Sequence, residues 1–256
     1  MSKISIIIPT INEANNLPLL LSDLSITNKE GEILIVDCGS EDKTIDVANI
    51  YGAKVYKTKE RNRGLQLGIG AKNSKGEWLI FLHADTRLTK NWFTKIKPVF
   101  MGDKNSIFYF KFKINDKKII YRLLEIIVNF RSKYFKQPYG DQGLIIHRQT
   151  YLKNNGFKKI PIMEDVDFFR RLSNKKDLKQ FNLPIKFLTI LLVALFLLLA
   201  ILMIKIRKRA SAFLMLGLPI LKIGKTLFHL EFISCGHRQV LAINGRLQVR
   251  MILKVD

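Results

Sequence analysis

Cysteine is almost missing from this 256-residue chain. Cys38 and Cys235 form neither a metal-ligand spacing nor a disulfide framework, which excludes a cysteine-stapled secreted domain and fits a reducing cytosol. Acid is scarce as well, with 21 Asp and Glu against 43 Lys and Arg and a net charge of +22. The imbalance is local: residues 1–100 hold 11 acids against 14 bases, residues 101–182 hold 8 against 18, and residues 183–256 hold 2 against 11. A cationic second half of this kind attracts nucleic acid, anionic head groups or phosphorylated substrates alike, and argues against a small neutral metabolite as sole partner. No nucleic-acid recognition motif accompanies the charge, so no nucleic-acid partner is expected.

Other absences narrow the class. There is no internal repeat and no low-complexity linker, and a 48% hydrophobic composition excludes a disordered chain. The apolar run after Met1 is too short for a secretory signal, so export of the N-terminal part is not expected. Gly64, Gly68 and Gly70 miss the dinucleotide fingerprint, and Gly224-Lys225-Thr226 lacks the earlier glycine of a phosphate loop because position 219 is proline. Neither a dehydrogenase nor a P-loop ATPase is supported.

What is there reads as strands alternating with helices. Ile4 to Ile8 is a β-branched run stopped by Pro9, and Leu17, Leu20, Leu21 and Leu24 follow at helical spacing. Ile33 to Val36 is a second strand, after which Ser40 or Asp42 can cap a helix that stops at Gly52. A short strand at Lys54 to Tyr56, a Gly-rich helix from Gly64 to Lys72 and a strand at Trp78 to Leu82 complete this half. The alternation predicts an α/β fold with a mostly parallel central sheet and helices on both faces. Beyond residue 100, Phe108, Phe110, Phe112 and Ile114 alternate with Tyr109, Lys111 and Lys113, a strand with one wet face. Ile119 to Phe135 carries a helical stripe of Ile120, Leu123, Leu124, Ile127 and Phe130 that suits a core-facing helix or a lipid-facing one. Leu144 to His147 reads as a strand and Asp165 to Leu172 as a helix.

Open parallel sheets bind ligands beyond the carboxyl ends of their strands. Three strands end there in polar groups: Thr10, Asn12 and Glu13 after the first, Asp37 and Ser40 after the second, and His83, Asp85 and Thr86 after the fourth. A hard divalent cation bridging two phosphates needs few protein carboxylates, which makes Asp85 a candidate ligand. His83, two residues back, is either a second ligand or a loop hydrogen-bond partner. Lys59, Arg61 and Arg63 precede the Gly-rich helix, where a helix N-terminus and guanidinium groups can hold phosphate. Glu164, Asp165 and Asp167 open a later helix, as capping acids or as a source of a general base.

Taken together, Ser5 to Glu13, Ile35 to Ser40, Phe81 to Thr86 and Met163 to Val166 resemble the inverting family-two glycosyltransferases, over about residues 1–182. The His83-Ala84-Asp85-Thr86 form and the segment Pro138 to Gln142 are similar to a bacterial subfamily, some members of which are assigned to arsenosugar biosynthesis. The resemblance implies a nucleotide-diphospho-sugar transferase fold of GT-A type, with a nucleotide-sugar donor, a hydroxyl acceptor that it does not identify, lipid-linked and phosphorylated ones being candidates, and a divalent cation, Mn or Mg. Within that fold it implies that Pro9, Thr10 and Glu13 line the nucleoside pocket, that Asp37 accepts from the base, and that Ser40, Arg61, Arg63 and Gln66 complete the donor site. Asp85, with His83, would hold the metal; Asp165 would be the general base with Glu164 in support; Arg131, Asp141 and Gln142 would lie near the acceptor. Two departures stand out, Leu65 and Gly68 where an Arg and an Asn are usual, and no Arg-Arg-Trp-like segment after Pro184.

The expected division is a transferase domain at 1–182, made of a donor half at 1–100 and an acceptor half at 101–182, followed by a hydrophobic, basic tail at 183–256. Phe187 to Ile204 is uncharged for eighteen residues and meets the lower length of a transmembrane helix. Basic residues flank the run on both sides and leave its orientation open; because nucleotide sugars are made in the cytosol and no export signal is expected, the catalytic part is expected on the cytoplasmic side of the cell membrane. The rival readings are a sugar-phosphate nucleotidyltransferase, which would carry a Gly-rich basic loop where Thr10-Ile11-Asn12-Glu13 stands, and a non-catalytic, membrane-attached nucleotide-sugar binding protein.

Overall fold

In a computed structural model of the chain, residues 4–27, 30–115, 118–172 and 178–187 are described. Strand β1 (Ile4–Thr10) lies between β2 (Gly31–Asp37) and β4 (Trp78–Phe81), parallel to both, and β3 (Lys54–Lys57) continues the parallel set outside β2. These strands are the apolar runs of the sequence, and β1, β2 and β4 are buried along most of their length because helices cover both faces.

The second half of the sheet changes direction. The strand β7 (Leu144–His147) runs antiparallel to β4, and β6 (Ile107–Ile114) runs antiparallel to β7. Strand β8 (Leu178–Phe187) is parallel to β6, and the two-residue β5 (Thr86–Arg87) is antiparallel to β8. The order is β3-β2-β1-β4-β7-β6-β8-β5, so the sheet is mixed where the sequence pattern predicts a mostly parallel one. Alternation of elements fixes the direction of the first four strands. It carries no such information for β6 and β7, which enter the sheet by long-range pairing. The register of β8 on β6 slips between Phe110 and Lys111, where the pairing passes over Asn182 and Leu183 and resumes at Pro184.

The division expected at residue 182 falls inside β8, because that strand continues to Phe187 along β6. Phe187, the first residue of the expected membrane span, is therefore a strand residue, and the rest of that span and of the tail lies outside the described residues. Among the described residues no helix is long and apolar enough to cross a membrane.

Helix α1 (Leu17–Leu24) buries Leu17, Leu20, Leu21 and Leu24 as its spacing predicts, and α2 (Thr44–Ile50) stops before Gly52 at φ +72°, a left-handed turn that suits glycine. Helix α3 (Arg63–Asn73) is capped by Asn62, whose side chain accepts from the Leu65 N–H at 2.8 Å. It packs on the sheet at Gly70, where a Cβ would sit 2.3 Å from Ile7. Helices α4 (Trp92–Ile96) and α6 (Arg148–Lys153) are short connectors, α5 (Ile119–Phe135) follows β6, and α7 (Glu164–Arg171) returns to α3. Tyr109 departs from the wet face expected of β6: it is fully buried, and its hydroxyl donates to the Ser132 carbonyl of α5 at 3.0 Å.

Candidate functional site

The carboxyl ends of β1 and β2 are tied into one polar knot. Asp37 is fully buried, and its carboxylate accepts from the hydroxyls of Thr10, at 2.9 Å, and Ser40, and from the Ser40 N–H at 2.9 Å. Ser40 accepts in turn from the Asn12 N–H at 2.8 Å, and the Asn12 side chain accepts from the Glu41 N–H at 2.8 Å. Asn12 reaches this position at φ +54°, a backbone state that asparagine tolerates better than most residues. Gln66 is buried beneath the knot and donates to the carbonyls of Val36, at 2.7 Å, and Thr10, at 3.0 Å, so it fastens α3 to both strand ends. Pro9 pairs with Val36 in the sheet, whereas Arg61 stands exposed before α3.

Arg63 is the hub of the second group. Its guanidinium donates to Glu164, lies 3.5 Å from the Asp165 carboxylate, and meets His83 Nε2 at 3.2 Å. Glu164 and Asp165 are both buried at the start of α7. Asp165 also accepts from the Gly140 N–H and, at 2.7 Å, from the Val166 N–H. The close approach of this region to α3 depends on Gly64, where a Cβ would lie 2.1 Å from the Lys158 carbonyl oxygen. A small cavity opens among Arg63, His83, Tyr139, Gly140, Glu164 and Asp165. Burial, with Arg63 adding to it, pushes the His83 imidazole down to about 3, so the ring is neutral and Nε2 is free to accept from Arg63. The expected metal ligand is thus engaged by a protein cation.

Asp85 lies past the end of β4, partly buried. Burial above all, then the Glu13 carboxylate and Asp141, together raise its pKa to about 7 against lowering contributions from a backbone hydrogen bond and Arg63. Burial raises Glu13 as well, although Asn16 donates to it at 2.9 Å. Asp141 is pushed up to about 6 by burial and by Asp165, opposed by Arg131 and Arg63. Asp85 thus has the Glu13 and Asp141 carboxyls as neighbours, and a divalent ion among them would favour their charged forms. Among the described residues no three of His, Cys, Asp and Glu converge closely enough to enclose a metal by themselves. An ion that arrives with a diphosphate needs only one or two carboxylates, because phosphate oxygens and water complete its octahedron.

The expected acceptor residues separate into two kinds. Arg131 is buried against the Tyr139 ring, 3.6 Å from its centre, and none of its three side-chain nitrogens has a hydrogen-bond partner among the described residues. Gln142, fully buried, accepts from the Ser132 hydroxyl at 2.5 Å and donates to the Phe110 carbonyl at 3.2 Å. It holds the Gly140–Gln142 turn against α5 and β6. Tyr139 and Gly140 line the cavity without a role having been expected of them, although they lie in the Pro138 to Gln142 segment.

The sequence pattern of Glycosyl transferase family 2 matches residues 5–166. A 4,4'-diaponeurosporenoate glycosyltransferase of Staphylococcus haemolyticus is 38% identical over 92 residues, 33% of this chain and 24% of that protein. A PGL/p-HBAD biosynthesis glycosyltransferase of Mycobacterium bovis is 37% identical over 91 residues, 33% of this chain and 36% of that protein. The matched stretch is thus a quarter to about a third of these relatives' length. Among solved structures, glucosyl-3-phosphoglycerate synthase from Mycobacterium tuberculosis in complex with Mn2+ and uridine-diphosphate-glucose superposes with a TM-score of 0.55 at 17% identity, covering 72% of this chain and 70% of that one. At that identity the likeness speaks for the fold.

Proposed function

Because this chain belongs to glycosyl transferase family 2, we infer that it moves a sugar from a nucleotide-diphosphate donor to an acceptor hydroxyl, with inversion at the anomeric carbon. The observation that carries the reading is the meeting of Arg63, His83, Glu164 and Asp165 beyond the end of β4, beside Asp85. Asp165 is the general base: its carboxylate is held by the Gly140 and Val166 N–H groups and faces the cavity, where it can take the proton from an attacking hydroxyl. Glu164 orients Arg63. Arg63 in turn brings a cation to the edge of the site, where a diphosphate leaving group develops charge. Asp37, Ser40 and Asn12 form the floor on which the nucleoside rests, and Gln66 fixes that floor to α3.

Asp85 would hold a divalent cation, Mn or Mg, which when bound neutralises the diphosphate. His83 supports Arg63 as a neutral acceptor. The donor, acceptor hydroxyl and cation are proposals for this chain; the support is its family, the carboxyls around Asp85, and a neighbour in fold that holds Mn2+ and UDP-glucose.

The test is a screen of the purified protein against a panel of nucleotide sugars, with and without Mn²⁺ or Mg²⁺, for release of the nucleoside diphosphate and free or transferred sugar. Release from one donor, with inverted anomeric configuration in the product, is expected. Release of a nucleoside monophosphate instead would point to attack on phosphorus and overturn the reading.

A further inference from the structure

Helix α5 is apolar on two sides. Tyr121, Leu124 and Val128 are buried and face the sheet. On the other side Ile119, Leu123, Ile126, Phe130 and Tyr134 are each more than half exposed, Ile119 by 87%. These five positions fall within an arc of about 80° at 100° per residue and run for about 22 Å along the helix. A solvent-facing side of a surface helix is ordinarily polar, and isolated exposed apolar residues do not line up in this way. Aromatic rings gather at the C-terminal end, with Phe130 4.4 Å from Tyr134 and 6.3 Å from Phe135, centre to centre.

The stripe has a basic rim. Residues 111–136 contain eight Lys and Arg, of which Arg131 is buried, against Asp116 and Glu125. Lys111, Lys118 and Lys133 are exposed, while Glu125 turns inward, accepting from Arg122 at 2.5 Å and from the Ile114 N–H at 2.8 Å. A second copy of this chain laid on the stripe would bring two such rims together in a protein of net charge +22. An anionic lipid surface complements both features, taking the apolar residues at the acyl boundary and the lysines at the head groups. The chain also leaves β8 at Phe187, paired with Ile114 just ahead of α5, and residues 188–204 that follow carry no charge.

We propose that the outer face of α5 is a membrane-docking surface that lies in the plane of an anionic bilayer. The proposal rests on the stripe and its rim, and stands apart from the enzymatic reading.

The test uses the full chain with Cys235→Ser, leaving buried Cys38 in place, and an environment-sensitive fluorophore on Ile126→Cys. A matching probe on Ile50→Cys, exposed on α2, is the control. On adding phosphatidylcholine vesicles that contain phosphatidylglycerol, emission at position 126 shifts to the blue and brominated acyl chains quench it, while position 50 is unaffected. Ile126→Glu with Phe130→Glu lowers affinity for the same vesicles about tenfold or more. The proposal is overturned if the chain binds vesicles while position 126 stays in water. It is equally overturned if the blue shift appears without lipid and grows with protein concentration, which would make a second copy the occupant.

Discussion

Arg63, the first residue of α3, donates its guanidinium to Glu164, the first residue of α7, across 101 positions of sequence. The Glu164 side chain is 3% exposed and that of Arg63 28%. Loss of the cation would strand a buried carboxylate beside the Asp165 one. Arg63→Ala is therefore expected to destabilise the protein by about 3 kcal/mol, and Glu164→Gln to recover part of that loss in the double variant. Urea denaturation of the four proteins of the cycle measures the coupling; additive effects would mean that the pair contributes nothing jointly.

Asp165→Asn is expected to lower kcat by roughly 10²–10⁴ while leaving donor affinity within a few-fold of the parent, since a base acts in the transition state. Steady-state kinetics and donor titration, run side by side on parent and variant, separate the two quantities. Transfer at the parent rate would remove Asp165 from the role of base.

The helices and strands that these residues stand on were largely legible. The leucines of α1 and the run at Leu144 to His147 each carry a local signal of period, and the structure keeps them, whereas β1 continues through Pro9, its expected stop, to Thr10. The direction of β6 and β7 was not, because an apolar strand has no sequence mark for parallel or antiparallel pairing. The same limit applies to the site. Asp37, Ser40 and Asp85 announce themselves as polar residues at strand ends, whereas the link from Arg63 to α7 joins segments with no local relation. Gln66 and Gln142 are legible as polar residues near the motifs, yet both are buried and spend their hydrogen bonds on holding the backbone. Composition does not say whether an amide points at a ligand or at a carbonyl.

Gln142→Ala tests that distinction. The substitution removes a buried amide that the Ser132 hydroxyl and the Phe110 carbonyl both use, and a loss of about 2–3 kcal/mol in stability is expected. Thermal unfolding measures it. A variant as stable as the parent would instead make Gln142 available to an acceptor.

The raised carboxyls give a pH signature. Asp85 at about 7 and Asp141 at about 6 both bind protons more tightly folded than unfolded, where the ordinary value is 3.8. In the window between those values the native state holds more protons, so stability falls as pH rises from about 4 to about 7. Melting temperatures of the ligand-free protein across that range are expected to decline for these groups, and Asp85→Asn to flatten the decline. A parent and variant with parallel profiles would place no strain at Asp85.

The crevice beyond β4 is expected to bind a nucleoside diphosphate together with a divalent cation at Asp85. Calorimetric titration of the protein with nucleoside diphosphates, with Mn²⁺ present or withheld, tests that expectation directly when the parent is compared with Asp85→Asn. One nucleoside diphosphate is expected to bind the parent, Mn²⁺ to strengthen the binding, and Asp85→Asn to remove the strengthening while leaving the fold intact. Binding with the same affinity and the same Mn²⁺ dependence in the variant, or no binding of any nucleoside diphosphate to the parent, would contradict that expectation.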